Sequence, residues 1–580
     1  MATLPCCTAN DDSRSASISD TSDASEVSRP SKASDASTAS TQSTGSTRST
    51  SSAAAHPDAA GAARPDDSSA ASSGAALASL SVSPLELSPS FSPDIHDYTV
   101  ACAAGTNRLQ LSWATRGSAR VALVVPVKAD ASSARPATPL DGSAQRTTAA
   151  KASSLRDAGA ADAAPWETET VSYGSSAKDV TVELAEDQAA TLRVDGAAEY
   201  WIRCLPHDFP TILVTEKADA GARGDGFYLL GTAITPPGSA SFAMVLDVHG
   251  TPVWYLRAAQ TVFDVDLAAP NVISFLTAAA PSGFGTDPNA RWELRDLASG
   301  RSTYVKAVEG PTDLHEFRIL ANGDYLVQSY DLVGGVDLTG LQKFGPDSTV
   351  ADCVLQELDR SGALVWTWRA GDHIDMVRES TIPESAAVNG QTVVDPIHVN
   401  SVDEAANGDL LVSARHLDAV FLVSKQTGKI VWKLGGAAYS RDGAQLLQLK
   451  GDTGFFRQHD ARFVSKDTIS LFDDESLMAA PARAVAYSID PTSGTATRVW
   501  QDIGPTSSVA MGSVRVLPND GVVVGWGLPS SGYGGVTEFD KSGHELFEIG
   551  LPSGEPSYRA VKVPPGSFDL DVLRRAVGEE

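Results

Sequence analysis

The sequence predicts an all-β protein: a six-bladed β-propeller preceded by a small β-sandwich domain and a disordered N-terminal tail. Three observations carry this. Residues 1–76 are almost devoid of large apolar side chains, residues 77–200 alternate short apolar positions with Pro and Asp, and residues 201–580 repeat a turn-glycine motif.

The tail is built from Ser, Ala, Thr and Asp. Such a composition cannot bury enough surface to offset the entropy of ordering, so it reads as a disordered linker. From Leu77 the run LASLSVSPLELSPSFSPDIHDYTVAC spaces Leu85, Leu87, Phe91, Tyr98 and Val100 between turn residues, the texture of strands joined by tight turns. This stretch resembles the cadherin-like β-sandwich modules of bacterial surface proteins, interrupted by an Ala/Ser-rich insertion near 129–165.

In the remainder, LDVHGTPVWYL, LASGRSTYVKA, LDRSGALVWTW, SKQTGKIVWKL, DPTSGTATRVW and FDKSGHELFEI share a glycine before an apolar strand. Gly250, Gly300, Gly362, Gly428, Gly494 and Gly543 recur at intervals of about 60 residues, the scale of a repeat of several strands. Six such units fit a propeller, with the glycines in hairpin turns and Trp254, Trp366, Trp368 and Trp432 in blade cores. A β-helix or a pair of sandwiches fits long, irregular units less well.

Between the hairpins lies a second repeated element. HEFRILANGDYLVQSY starts at His315, HVNSVDEAANGDLLVSARH at His398, HDARFVSKDTISLFDD at His459 and MGSVRVLPNDGVVVGWG at Met511. Equivalent positions in blades share radius and height, so the three histidines gather at one end of a central channel. A hairpin returns Arg415 to the rim of His398, and Asn400, two residues on, takes the same strand face as His398. Gln458 and Asp460, adjacent to His459, point away from it and fix the backbone. His207, His373 and His416 have no such register and read as structural.

The chain carries a formal charge of -27 over 580 residues, with 42% hydrophobic residues. That acidity argues against a nucleic-acid or anionic-membrane partner, and an anionic substrate then demands locally concentrated positive charge. Three histidines with Arg415 and Asn400 gather a cation and hydrogen-bond donors at one place to meet it. Imidazoles also ligate metals, but interleaved Arg and Asn suit an oxyanion better than a cation, so neither metal nor cofactor is expected. A neutral histidine can instead act as nucleophile while the others hold charge.

At DPIHVNSVDEAANGDLLVSARHLDAVFLVSKQTGKIVWKLGG and FFRQHDARFVSKDTISLFDD the chain resembles the bacterial arylsulfate sulfotransferases, with likeness running from YWIRCLPHDFP to PSYRAVKV. The resemblance implies a ping-pong transfer of a sulfuryl group from an aryl sulfate to a phenol, without a nucleotide donor. It implies His459 as the sulfated nucleophile, with His315, His398, Asn400 and Arg415 around the sulfuryl oxygens or handling the phenol proton. Two departures stand out. LFDDES replaces the family's L-F-D-N with an extra acid, and the family's threonine has no clean counterpart, Thr506 and Ser508 in GPTSSVAMGS being the candidates. The competing reading is a non-catalytic propeller that binds a ligand or partner at the cell envelope.

The five cysteines show no CxxC spacing; a pair among Cys102, Cys204 and Cys353 fits, and Cys6 reads as an ordinary tail cysteine. No export signal or apolar run of about 20 residues is visible, so a transmembrane segment is not expected. A periplasmic, secreted or envelope location is expected from the resemblance, the sandwich and the Ser/Thr-rich tail, with a homodimer one open option.

Overall fold

The computed structural model describes residues 76–127, 145–148 (backbone only), 168–217, 223–234, 239–278, 284–476, 478, 480–532, 534–552 and 555–577. The tail expected at 1–76 lies outside these residues except for Ala76, as do Cys6, Cys7 and most of the Ala/Ser-rich insertion. The described chain is all-β, with curled sheets and a few short helical turns. No helix among the described residues is long and apolar enough to cross a membrane.

The first part holds two sheets. One orders Leu77–Ser83, Thr106–Thr115 and Ser176–Ala185; the other orders Asp97–Ala101, Ala198–Leu205, Ala189–Val194, Val121–Pro126, Thr168–Tyr173 and Gln145–Thr148. Strand alternation in TNRLQLSWAT turns Leu109, Leu111 and Trp113 inward, where they join Leu123, Leu192, Tyr200 and Ile202 of the other sheet in one core. Each large side chain so buried contributes about 1.5–3 kcal/mol. Ala198–Leu205 crosses the boundary expected at residue 200, and its Cys204 forms a disulfide with Cys102. Cys353 is a free, buried thiol.

Beyond it the chain winds into antiparallel four-stranded meanders. One runs Thr261–Ala269, Val272–Ala278, Trp292–Asp296, Arg301–Val305; the next Thr312–Ile319, Tyr325–Val336, Ser348–Leu358, Leu364–Arg369. Then follow Val399–Glu404, Leu410–Ala414, Ala419–Val423, Ile430–Gly435, and His459–Ser465, Thr468–Asp473, Arg483–Asp490, Thr495–Ile503. Ser513–Val516, Val522–Gly525, Gly535–Phe539 and Glu545–Gly550 take Leu213–Glu216 as a fifth, outer strand. The C-terminal strand Ser557–Val563 returns to pair with Phe227–Thr232, ahead of Ser241–Leu246 and Pro252–Ala258. The first strand of each meander lies beside the first strand of the next, and Ser557–Val563 touches both Ser513–Val516 and Thr261–Ala269, so the circuit returns on itself.

The repeat glycines Gly250, Gly300, Gly362, Gly428, Gly494 and Gly543 all have φ between 66° and 85°, the left-handed conformation a side chain would strain. Two long repeats carry inserted structure: the hairpin Glu384–Val388 with Gln391–Asp395, and Gln445–Lys450, which pairs in parallel with Ile430–Gly435 on one side and Thr495–Ile503 on the other. At the C-terminus, Asp569 caps the helix Leu570–Arg575. Arg574 of that helix pairs with Asp97 at 2.7 Å, and the Trp254 Nε1–H donates to the Ala576 carbonyl at 3.2 Å.

Candidate active site

The first strands of the meanders are irregular at the same level. Pairing register slips between Phe263 and Asp266, Thr312 and Phe317, Val399 and Ser401, and His459 and Arg462, and Asp264, His398 and Asp460 take positive φ. Bulges of this kind re-aim side chains. They do so here toward the middle of the circuit, and they break the simple alternation expected from His398 to Asn400.

Below the histidines the centre is filled by ions. Arg559 pairs with Asp264 at 2.7 Å, Glu316 at 3.2 Å and Asp460 at 3.1 Å, and donates to the Asn400 carbonyl at 2.7 Å. Arg462 links Glu316 and Asp460, and Arg515 also contacts Asp460. Burial alone would neutralise these acids, but Arg462 and Arg559 keep Glu316 low, and Arg515, Arg462 and Arg559 hold Asp460 well below the usual carboxylate range. Asp460 is thus a framework anion. Gln458 is framework too: its amide donates to Ser413 Oγ, the Ala414 carbonyl and the Ala419 carbonyl.

On this floor sit the histidines. Nδ1 of His459 lies 2.8 Å from the Gly512 carbonyl. A carbonyl only accepts, so Nδ1 carries the proton and Nε2 the lone pair. Nε2 lies 3.2 Å from the Tyr558 hydroxyl, itself 3.1 Å from the His315 carbonyl. His315 and His398 meet edge to face at 4.7 Å, and their Nδ1 atoms are held by Asp313 at 2.9 Å and Asp395 at 2.6 Å. Each of these acids also accepts the backbone N–H of its own histidine, so both dyads form within a short turn. A Cβ on Gly285 would lie 2.5 Å from Cε1 of His315, so only glycine lets that loop close over the ring.

Burial drives His459 well below the ordinary imidazole range, aided by Arg559 and His315 against the pull of Asp460. Burial likewise pushes His398 down to about 3, although Asp395 works the other way. Both rings are therefore neutral at pH 7. Burial pushes Tyr558 well above 10, which keeps its hydroxyl protonated.

Arg415 reaches the same rim: its backbone N–H donates to the His398 carbonyl at 2.8 Å. Its guanidinium contacts Glu384 at 3.0 Å, the Val509 carbonyl at 3.0 Å and His416 Nε2 at 3.3 Å. Asn400 donates to the Gln458 carbonyl at 2.7 Å, while its buried Oδ1 meets no donor among the described residues. His315, His398, His459, Asn400 and Arg415 thus lie in one contiguous buried cluster, none more than 4% exposed.

Several members were not anticipated. His416, read from sequence as incidental, packs on His398 at 4.7 Å and bonds the Asp395 carbonyl; burial lowers its pKa, but Asp395 and Glu384 outweigh this and raise it. Its register escaped because it lies on the 3-10 turn Arg415–Leu417 beyond the strand. Asp313 and Asp395 were legible as acids two and three residues before a histidine, in TDLH and DPIH. Tyr558, Arg559, Glu384 and Arg457 carry no comparable local signal. His373 stacks on Trp368 and bonds Asp442, and His207 bonds Glu186, both apart from the cluster. Ser508 Oγ donates to the Ala510 carbonyl and Thr506 contacts Ser530 at the surface. Asp395, His398 and His416 also lie close enough to hold a cation, but the acid accepts from His398 Nδ1 and its carbonyl from His416 Nδ1, which accounts for the grouping.

Residues 292–552 match the model of the arylsulfotransferase (ASST) family, which supports that family for this stretch. No curated protein matches the chain. Among solved structures, a protein of unknown function from Bacteroides caccae is 12% identical, covering 58% of this chain and 99% of its own at a TM-score of 0.36. The periplasmic gluconolactonase PpgL of Pseudomonas aeruginosa is 13% identical over 59% of this chain and 99% of its own, with a TM-score of 0.34. TolB of Acinetobacter baumannii is 13% identical over 65% and 79%, also at 0.34.

Proposed function

We propose that the protein is an arylsulfate sulfotransferase built on a six-bladed β-propeller, with a cadherin-like β-sandwich module ahead of it, acting outside the cytoplasm on aryl sulfates and phenols. The blade count rests on the circuit of first strands returning through Ser557–Val563. The activity rests on the arylsulfotransferase match together with one observation: Nδ1 of His459 lies 2.8 Å from the Gly512 carbonyl, which assigns the proton to Nδ1 and leaves Nε2 its lone pair.

In the first half-reaction His459 Nε2 attacks sulfur, an S–N bond forms, the S–O bond to the aryl group breaks, and the departing phenolate takes the Nε2 proton of a doubly protonated His315, whose Nδ1–H stays on Asp313. Asp313 holds His315 in place for that role. In the second, the acceptor phenol returns a proton to His315 as its oxygen attacks sulfur and the S–N bond breaks. Arg415 and neighbouring donors match charge on the sulfuryl oxygens, and losing one such donor typically costs about 2.7–4 kcal/mol of barrier. The open Oδ1 of Asn400 suits an incoming phenol O–H.

Purified full-length protein mixed with an activated aryl sulfate and phenol, without nucleotide, tests this. Transfer that His459→Ala abolishes is expected; an inactive, correctly folded wild type overturns it. A second reading, a non-catalytic binding propeller, draws on the burial of His459, which is only 2% exposed.

A further inference from the structure

Arg457, two residues before His459, is a second arginine beside the cluster. It is 1% exposed, and its φ of 59° turns the chain sharply ahead of the strand that begins at His459. Its Nη1 lies 3.2 Å from Glu384 Oε1, the same oxygen that Arg415 Nη1 meets at 3.0 Å and that His416 Nε2 approaches to 3.6 Å. One carboxylate oxygen therefore serves two guanidiniums and an imidazole. Nε and Nη2 of Arg457 find no hydrogen-bond acceptor among the described residues.

Buried charged donors are seldom left unmet, because no water compensates them. The adjoining acids do not close the gap: Asp418 Oδ1 accepts the Arg457 backbone N–H, and its Oδ2 accepts from Thr381. Burial and the neighbouring Arg415 depress the Arg457 pKa to about 10, opposed by Glu384, Asp418 and Asp474, so the guanidinium stays charged at neutral pH. Asp474 is the extra acid of LFDD, and its charge favours the charged form of Arg457.

We infer that Arg457 is a second anion-binding arginine of the site, whose Nε and Nη2 hydrogens hold two oxygens of a bound sulfate-class anion alongside Arg415. For the class of anion this rests on the sulfuryl-transfer reading. The planar fork of arginine, with Nε–H and Nη2–H side by side, matches two oxygens of a tetrahedral anion in a way a lysine does not.

Inorganic sulfate is the probe. It is titrated calorimetrically into the full chain, and its effect on the melting temperature is followed, for wild type, Arg457→Gln and Arg457→Lys, with circular dichroism reporting the fold. A ligand that binds the folded state raises its melting point with concentration. Arg457→Gln is expected to weaken sulfate binding by about ten- to a hundredfold, the loss of a charge-assisted hydrogen bond, and to remove most of the sulfate-dependent rise in melting temperature. Arg457→Lys is expected to weaken it by at least about tenfold, since charge alone does not replace the fork. A purely structural Arg457 would lower the baseline melting point and leave the sulfate increment intact, which overturns the inference. So would a wild type that binds no sulfate, or, if Arg457→Gln fails to fold, an Arg457→Lys protein with wild-type affinity. Labelling of His459 by an aryl sulfate is read separately: absent labelling with Arg457-dependent sulfate binding defeats the transfer reading and leaves this one standing.

Discussion

The hydroxyl of Tyr558 lies 3.2 Å from Nε2 of His459 and 3.1 Å from the carbonyl of His315, so one O–H from the C-terminal strand ties together two histidines distant in sequence. Tyr558→Phe keeps the ring and leaves buried acceptors unmet. Thermal unfolding is expected to show a loss of about 1–3 kcal/mol, with a fall in transfer rate of at least about tenfold and little change in KM. An unchanged rate would mean that the hydroxyl does not position His459.

The depressed pKa of His459 makes a pH prediction. A nucleophilic imidazole with an ordinary pKa near 6.5 loses activity as pH falls from 8 to 6. His459 stays neutral over that range because burial, Arg559 and His315 disfavour its charged form. The single-turnover rate of His459 sulfation should therefore not fall as pH drops from 8 to 6. A decline with a midpoint near 6.5 would contradict this assignment.

His398 gives a matching effect on stability. Its unfolded imidazole takes a proton near 6.5 and its folded one only near 3, so between those values the unfolded state binds more protons and stability drops as pH falls. Unfolding free energies of wild type and His398→Gln, measured between pH 4.5 and 6, should diverge in slope by about 1.4 kcal/mol per pH unit, the variant being the flatter. Parallel slopes would place His398 in a wetter environment than its burial indicates.

Much of this was legible in the sequence, and what was missed has a physical pattern. The turn glycines announce themselves because a positive φ restricts residue choice, and the register of His315, His398 and His459 follows from the repeat. Bulges escape such reasoning, since a strand written in one dimension alternates faithfully. Asn400 therefore looked like a same-face neighbour of His398, whose own φ of 52° interrupts the alternation. Arg559 and Tyr558, although inside PSYRAVKV, had no readable role because their partners come from strands 99 to 295 residues away, joined only when Ser557–Val563 pairs with Phe227–Thr232. Glu384 belongs to an inserted hairpin outside the repeat, so no register could place it. The disulfide was open among three cysteines until the adjacent strands Asp97–Ala101 and Ala198–Leu205 brought Cys102 and Cys204 together.

Arg559 is the hub of the central ion network, meeting acids from three different first strands. Arg559→Met leaves Asp264, Glu316 and Asp460 short of their shared cation. Removing one partner of a buried network costs about 3–5 kcal/mol, so denaturant unfolding should show a loss of that size. A loss below about 1 kcal/mol would mean that Arg462 and Arg515 suffice.

The disulfide closes a sequence separation of 102 residues. In the chain-entropy view a loop of that length contributes about 4.7 kcal/mol. Cys102→Ala/Cys204→Ala should therefore lower the unfolding free energy by roughly 2–5 kcal/mol while leaving transfer unchanged, because neither cysteine adjoins the histidine cluster. Equal stability of the reduced and oxidised wild-type protein would argue against the link.

In the proposed reaction His459 Nε2 carries the sulfuryl group between donor and acceptor. Intact-peptide mass analysis after brief mixing with an aryl sulfate tests it most directly. One added sulfuryl group is expected on the peptide containing FFRQHDARF, lost on addition of phenol and never formed in His459→Ala. Transfer to phenol without that adduct, or an adduct that survives phenol, would contradict it.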